Sequence, residues 1–258
     1  MVKELIAVTA VAVAAGVGSL VAPGASDGES GGIADASARP VPGAPARPAD
    51  RDGDHVDVRP GDVAHVRRGA TVRLRDRPGG GTLEVLDDVT PFGSRATFAV
   101  VERDGPWLGV LSNVLRNGDV GWIRYDREAL AIDRHRVRIA VDRSERRLDL
   151  IRAGRRAMSV TVGVGRSGSE TPLGTYAVTD RLGNGRWSSS YGCCIIALTG
   201  RQTRLPSGWR GGDRLAIHGT DGRSAAGTSS AGCVAVDAGP LRRLMRTVPL
   251  GTLVTIRP

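Results

Sequence analysis

The feature that most restricts the fold is how briefly any apolar run persists. Residues 61–133 carry four short stretches, Ala70–Arg75, Ala96–Val101, Trp107–Leu111 and Val120–Ile123, in which apolar residues alternate with polar or small ones. Turn formers separate them: Pro78-Gly79-Gly80-Gly81, Asp104-Gly105-Pro106 and Asn117-Gly118-Asp119. Side chains two residues apart share one face of a strand, so this alternation predicts short half-buried strands joined by tight reversals. The whole chain holds 36 glycines and 14 prolines against four tryptophans, three tyrosines and two phenylalanines. That balance favours short strands and many turns over long helices.

The pattern resumes at Arg136. Arg136–Asp142 and Arg147–Arg152 flank Arg143-Ser144-Glu145-Arg146 as a hairpin, and Ala157–Val164, Gly174–Asp180, Cys194–Leu198, Leu215–His218 and Thr252–Ile256 read as further strands. One helix stands out over Pro240–Arg246, with Asp237 as its N-cap and Pro249 past its end. The fold class is mainly β with one helix, and 258 residues leave room for two small domains.

Chemistry concentrates in Ser229-Ser230-Ala231-Gly232-Cys233-Val234, with His218-Gly219 upstream. A thiol attacks carbonyls as thiolate, and an imidazole is the usual group that takes its proton. Of the four histidines, His55 and His65 lie well before the second half and His135 sits at its edge, so His218 is the natural partner of Cys233. Arg214–Gly219 reads as a short strand ending in a turn, which holds the ring at a rim. Gly232 permits close backbone approach, and the amides of Gly232 and Cys233 can face a developing oxyanion. A buried thiol and an ordinary strand-end histidine leave the same trace, because free cysteine is also a small core residue.

The surroundings weigh against that plainer reading. His-Gly, a polar loop and Ser-x-Gly-Cys-Val resemble the signature of the L,D-transpeptidases, the YkuD-like cysteine enzymes that cross-link bacterial peptidoglycan. Thr171-Pro172-Leu173-Gly174-Thr175-Tyr176 resembles that family's T-P-x-G-x-F/Y segment, and Tyr191-Gly192 with Ala197-Leu198-Thr199-Gly200 its substrate-side strand and loop. The resemblance covers residues 136–258. Two positions depart from it: Ala231, where many members carry His or another polar residue, and Ala235, where many carry Arg or Asn. They put rate and substrate preference in question rather than the Cys–His pair. Over residues 61–133, Gly121-Trp122-Ile123 and the strand spacing resemble a bacterial SH3-like domain. Such modules often bind cell wall; a packing or spacer role fits the residues equally.

The resemblance implies a YkuD-like β-sandwich or barrel with one helix, preceded by the small SH3-like β domain. It implies Cys233 as nucleophile and His218 as general base and acid, with the Gly219 carbonyl orienting the imidazole and the Gly232 amide serving the oxyanion. Ser230 supports the cysteine loop at the substrate side, and Tyr176 and Tyr191 line the donor groove. The partners implied are peptidoglycan stem peptides joined 3→3 through a cysteine acyl-enzyme, with covalent inhibition by carbapenems. No cofactor is expected. Two alternatives stay open: an L,D-carboxypeptidase that trims stem peptides with water, and a non-catalytic cell-wall-binding protein whose Cys233 is structural.

Charge and the front of the chain bear on location. Residues 1–135 hold 16 basic and 19 acidic side chains, and residues 136–258 hold 20 and 8. A basic domain favours anionic partners. No recognition helix or aromatic-basic motif accompanies the charge, so nucleic acid is not the expected partner, whereas anionic cell-wall polymers are. A solvated basic surface without a partner also fits. Residues 5–22 are an unbroken apolar, Gly, Ser and Thr run after Lys3, placing a signal peptide or membrane anchor at 1–25. Residues 26–60, rich in Pro, Gly and Ala, form a linker that cannot build a core. The expectation is an extracytoplasmic monomer, in the cell wall or membrane-anchored at the outer face of a bacterial cell.

Three cysteines in an exported chain leave at least one unpaired. Cys193 and Cys194 are adjacent; on a strand their side chains point to opposite faces, and a bond between neighbours is strained and rare. Cys233 is expected free. No His/Cys/Asp cluster has metal-ligand spacing, so no metal is expected.

Overall fold

The computed structural model describes residues 57–183, 189–222, 224–227 and 229–258. The expected signal or anchor segment and nearly all of the linker lie outside the described residues. The first module holds β1 (Val63–Val66), β2 (Val72–Arg75), β3 (Thr82–Leu86), β4 (Thr97–Asp104), β5 (Trp107–Val110), β6 (Gly121–Arg124) and β7 (Leu130–Asp133); the four alternating runs are β2, β4, β5 and β6, and β1, β3 and β7 lie outside them. They form one antiparallel sheet in the order β3-β2-β6-β5-β4-β1-β7. Its inner face buries Leu74, Phe98, Val100, Leu108, Ile123 and Leu130.

The second module starts with β8 (Val137–Asp142) and β9 (Arg147–Arg152), the expected hairpin, paired from Val137↔Arg152 to Asp142↔Arg147. Then come β10 (Arg155–Thr161), β11 (Val164–Gly165), β12 (Gly174–Gly183), β13 (Cys194–Arg201), β14 (Arg214–His218), β15 (Ser229–Ser230), β16 (Val234–Ala235), α1 (Ala238–Thr247) and β17 (Leu253–Arg257). Eight of these strands share a sheet ordered β10-β9-β8-β17-β12-β13-β14-β16, and β11 pairs with β15 beside it. The helix closes the core with Leu241 and Leu244, three residues apart on one face. Asp237 occupies the cap position but makes no side-chain cap. Its carboxylate accepts instead from the Ala225 amide at 2.7 Å, tying the helix entry to the loop before Cys233.

The described residues fall within one compact unit. The first half of β4 is buried on both faces. Phe98 and Val100 enter the first core, while Ala99 clusters with Leu111 of its own module and Ala177 of the second, with Val101 and Leu253 alongside. Small side chains at that seam let the two sheets approach closely. A polar clasp sits at its end. The Asn117 side chain donates to the Arg201 carbonyl at 2.7 Å and accepts from the Arg201 amide at 2.9 Å. The Arg201 guanidinium donates to the Asn113 carbonyl.

Candidate active site

Strand β14 places its residues by alternation. Leu215 and Ile217 point into the core, 1% and 0% exposed, so Ala216 and His218 share the opposite face. On one side β13 runs antiparallel, with Ile195 opposite His218. On the other β16 runs parallel, with Val234 beside Ile217 and Ala235 beside His218. Cys233, one residue before β16, therefore enters beside the β14 backbone at Arg214 and Ala216.

His218 is held from two directions. Its Nδ1 lies 2.6 Å from the Gly219 carbonyl oxygen, which accepts an Nδ1–H and leaves Nε2 as the free acceptor. The Tyr191 ring meets the imidazole edge-on, centroids 5.0 Å apart and planes at 85°. The turn that delivers Tyr191 packs so tightly that Gly192, at φ +62°, has no room for a side chain: a Cβ there would sit 2.6 Å from the Thr220 carbonyl oxygen. The Gly219 amide donates to the Tyr191 carbonyl at 2.9 Å and closes the turn onto the strand end.

The sulfur of Cys233 faces the β14 backbone, 3.8 Å from the Arg214 carbonyl oxygen. Among the described residues no hydrogen bond joins it to the imidazole. Burial pushes the thiol up to about 11, partly offset by the Ala216 backbone. Burial also lowers His218, against the pull of the Gly219 carbonyl. Both shifts favour the neutral forms, thiol and imidazole. Burial raises the Tyr191 phenol, with a smaller electrostatic contribution from Cys233.

Three expectations are corrected here. Tyr176 does not line a groove: it is 2% exposed in the core, and its hydroxyl donates to the Leu173 carbonyl at 3.0 Å. The Gly232 amide is not free for an oxyanion, because it donates to Ser230 Oγ at 3.0 Å. Ser230 ties the loop by donating to the Cys233 carbonyl at 2.6 Å. Cys193 and Cys194 form a disulfide with each other. Cys193 lies in the turn ahead of β13, so strand alternation does not send the two side chains to opposite faces. Cys233 is a free thiol.

Sequence reasoning missed Gln202, buried immediately after β13, whose side-chain amide donates to the Ala231 carbonyl in the cysteine loop. A single glutamine between a strand and a turn carries no sequence signal. Thr171 of the Thr-Pro segment also has a structural task, accepting the Gly165 amide at 2.8 Å and fixing the loop after β11.

Residues 136–256 match the model of the YkuD family, the L,D-transpeptidase catalytic domain. The solved structure of Bdellovibrio bacteriovorus Bd1075 is 23% identical, with a TM-score of 0.39 over 48% of this chain and 48% of that one. An Enterococcus faecium L,D-transpeptidase mutant is 15% identical, with a TM-score of 0.37 over 49% of this chain and 55% of its own. L,D-transpeptidase 3 from Mycobacterium tuberculosis, solved in complex with a faropenem-derived adduct, is 14% identical, with a TM-score of 0.38 over 54% and 74%. The chain spans about half the length of the first two. No curated protein matches it.

Proposed function

We propose that residues 136–258 are an L,D-transpeptidase domain in which Cys233 is the nucleophile and His218 the general base. The observation that carries the reading is the parallel pairing of β14 with β16, which brings Cys233, the residue before β16, alongside the strand that ends in His218, within the segment that matches the YkuD family. Cys233 Sγ attacks the carbonyl between the third residue of a stem tetrapeptide and its terminal D-alanine while Nε2 of His218 takes the thiol proton. Collapse of the tetrahedral intermediate breaks the carbon–nitrogen bond, the leaving amine receives the proton, and a thioester remains. The side-chain amine of a second stem attacks that thioester, giving a 3→3 link and restoring the thiol. The Nδ1–H bond to the Gly219 carbonyl supports this role by keeping Nε2 as the acceptor. With the Gly232 amide engaged by Ser230, the Cys233 amide is the oxyanion donor we assign.

Such a substrate lies outside the membrane, where the apolar segment 5–22 and the spacer 26–60 would deliver the enzyme. The basic second module favours anionic wall polymers, and strands β1–β7 act as an SH3-like spacer or wall-binding module. The test is incubation of the purified residues 51–258 with a carbapenem, read by intact mass. One covalent adduct on Cys233, with 3→3 product from tetrapeptide stems, is expected. Absence of both adduct and product from folded protein overturns the assignment.

A further inference from the structure

One buried amide governs three loops around the cysteine. Gln202 is 6% exposed. Its Nε2 donates to the carbonyls of Ala231 at 3.2 Å, Ser169 at 3.2 Å and Glu170 at 3.0 Å, and its Oε1 accepts from the Arg204 amide at 2.9 Å. Carbonyls on one end and an N–H on the other permit only this orientation of the amide. The Gln202 backbone amide donates to the Asp213 carbonyl at 2.6 Å, so the main chain beneath the side chain is fixed too.

The contact with the cysteine loop is close. Gly232 has φ +119°, and a Cβ on it would lie 2.1 Å from Gln202 Nε2. A planar peptide sends its C=O and N–H in opposite directions. In the Ala231–Gly232 peptide the carbonyl is held by Gln202 and the N–H by Ser230 Oγ. That peptide is therefore clamped at both ends, and its plane sets how the chain enters Cys233. The neighbouring residue, Arg201, is the one clasped by Asn117 of the first module.

We propose that Gln202 is a positioning residue for Cys233, fixing through the Ala231–Gly232 peptide the direction in which the thiol and the Cys233 amide are presented. This rests on the reading of Cys233 as nucleophile. Gln202 touches no reacting atom; its effect passes through the peptide plane. Displacement of a reacting group by about 1 Å is enough to cost on the order of 10²-fold in rate. A side chain that holds three loop carbonyls is suited to prevent a shift of that size.

The decisive variant is Gln202→Met, which keeps length and bulk but loses every hydrogen bond of the amide. Three readouts are taken on residues 51–258: melting temperature, kcat and KM for transpeptidation, and the pH dependence of Cys233 alkylation by iodoacetamide, which needs no substrate. The expected result is a folded protein with kcat lowered about 10²-fold and KM little changed. Its alkylation midpoint moves down from about 11 as water reaches the loosened sulfur. Both readouts are taken well below the melting temperature of the variant, where the protein stays folded, so a lowered midpoint reports the surroundings of the sulfur and not global unfolding. A Gln202→Met protein with wild-type kcat and an unmoved alkylation midpoint overturns the proposal and leaves the transpeptidase reading intact. A shifted midpoint in a protein whose parent shows no turnover sinks the transpeptidase reading and keeps the positioning role. Should the methionine variant melt below assay temperature, Gln202→Asn retains the amide but draws it back from the carbonyls, and the same two readouts decide.

Discussion

The two modules bury polar groups in different ways. Among the described residues of the first, the buried polar side chains are Asp62, Thr97 and Ser112. Asp62 is closed off by an ion pair to Arg134 at 2.7 Å, which holds its carboxyl below the usual range. In the second, Ser169, Thr171, Thr179, Asp180, Thr199, Gln202 and His218 are all buried, and Ser169, Thr171, Gln202 and His218 surround the loops at Cys233. A buried polar group costs free energy unless it is hydrogen-bonded, and in this module the carboxylate oxygens Asp149 Oδ1 and Asp180 Oδ2 are buried among the described residues without such a partner. The first module carries its stability in an apolar sheet core, and the second carries geometry in a polar network over an apolar floor.

Removing the chemistry while sparing the floor should give the largest effect. Cys233→Ala is expected to abolish turnover and carbapenem adduct formation with the melting temperature nearly unchanged; residual turnover would move the nucleophile elsewhere. His218→Ala should slow acylation by at least about 10²-fold, the usual scale for a positioned acid–base group, measured by single-turnover kinetics.

The pH profile tests the neutral forms that burial favours. Because burial lowers His218, the imidazole stays an acceptor below the ordinary histidine range, so the acid limb of kcat/KM should fall below pH 6.5. Cys233 alkylation should keep rising toward pH 11 with no thiolate plateau near neutrality. A plateau between pH 6 and 8 would mean that the pair rests as thiolate and imidazolium instead.

Smaller effects should come from the first module. Asn117→Ala loosens Arg201, the residue before Gln202, and a few-fold loss of kcat at constant KM is expected. Leu108→Ala, in the first apolar core, should cost about 2–5 kcal/mol of stability by denaturant titration while leaving the Cys233 alkylation profile unchanged well below the transition. A shifted profile in Leu108→Ala would break the distinction between the modules.

Strand alternation and helix periodicity are local, so the sequence alone located the hairpin of β8 and β9, the short strand ending at His218 and the helix near Leu241 and Leu244. It also singled out Cys233 and His218 as candidates, because so few side chains in the chain can attack a carbonyl or take a proton. What it could not determine depends on which segments meet. Tyr176 is one member of the Thr-Pro segment, and only the packed core shows its ring enclosed. The Gly232 amide looked free until Ser230 Oγ was seen to accept it. Gln202 acquires its role from carbonyls 33, 32 and 29 residues away. The sequence thus names the groups able to do chemistry, whereas tertiary contacts decide which of their donors and acceptors remain unspent, since each hydrogen bond already made inside the fold is one no substrate can use.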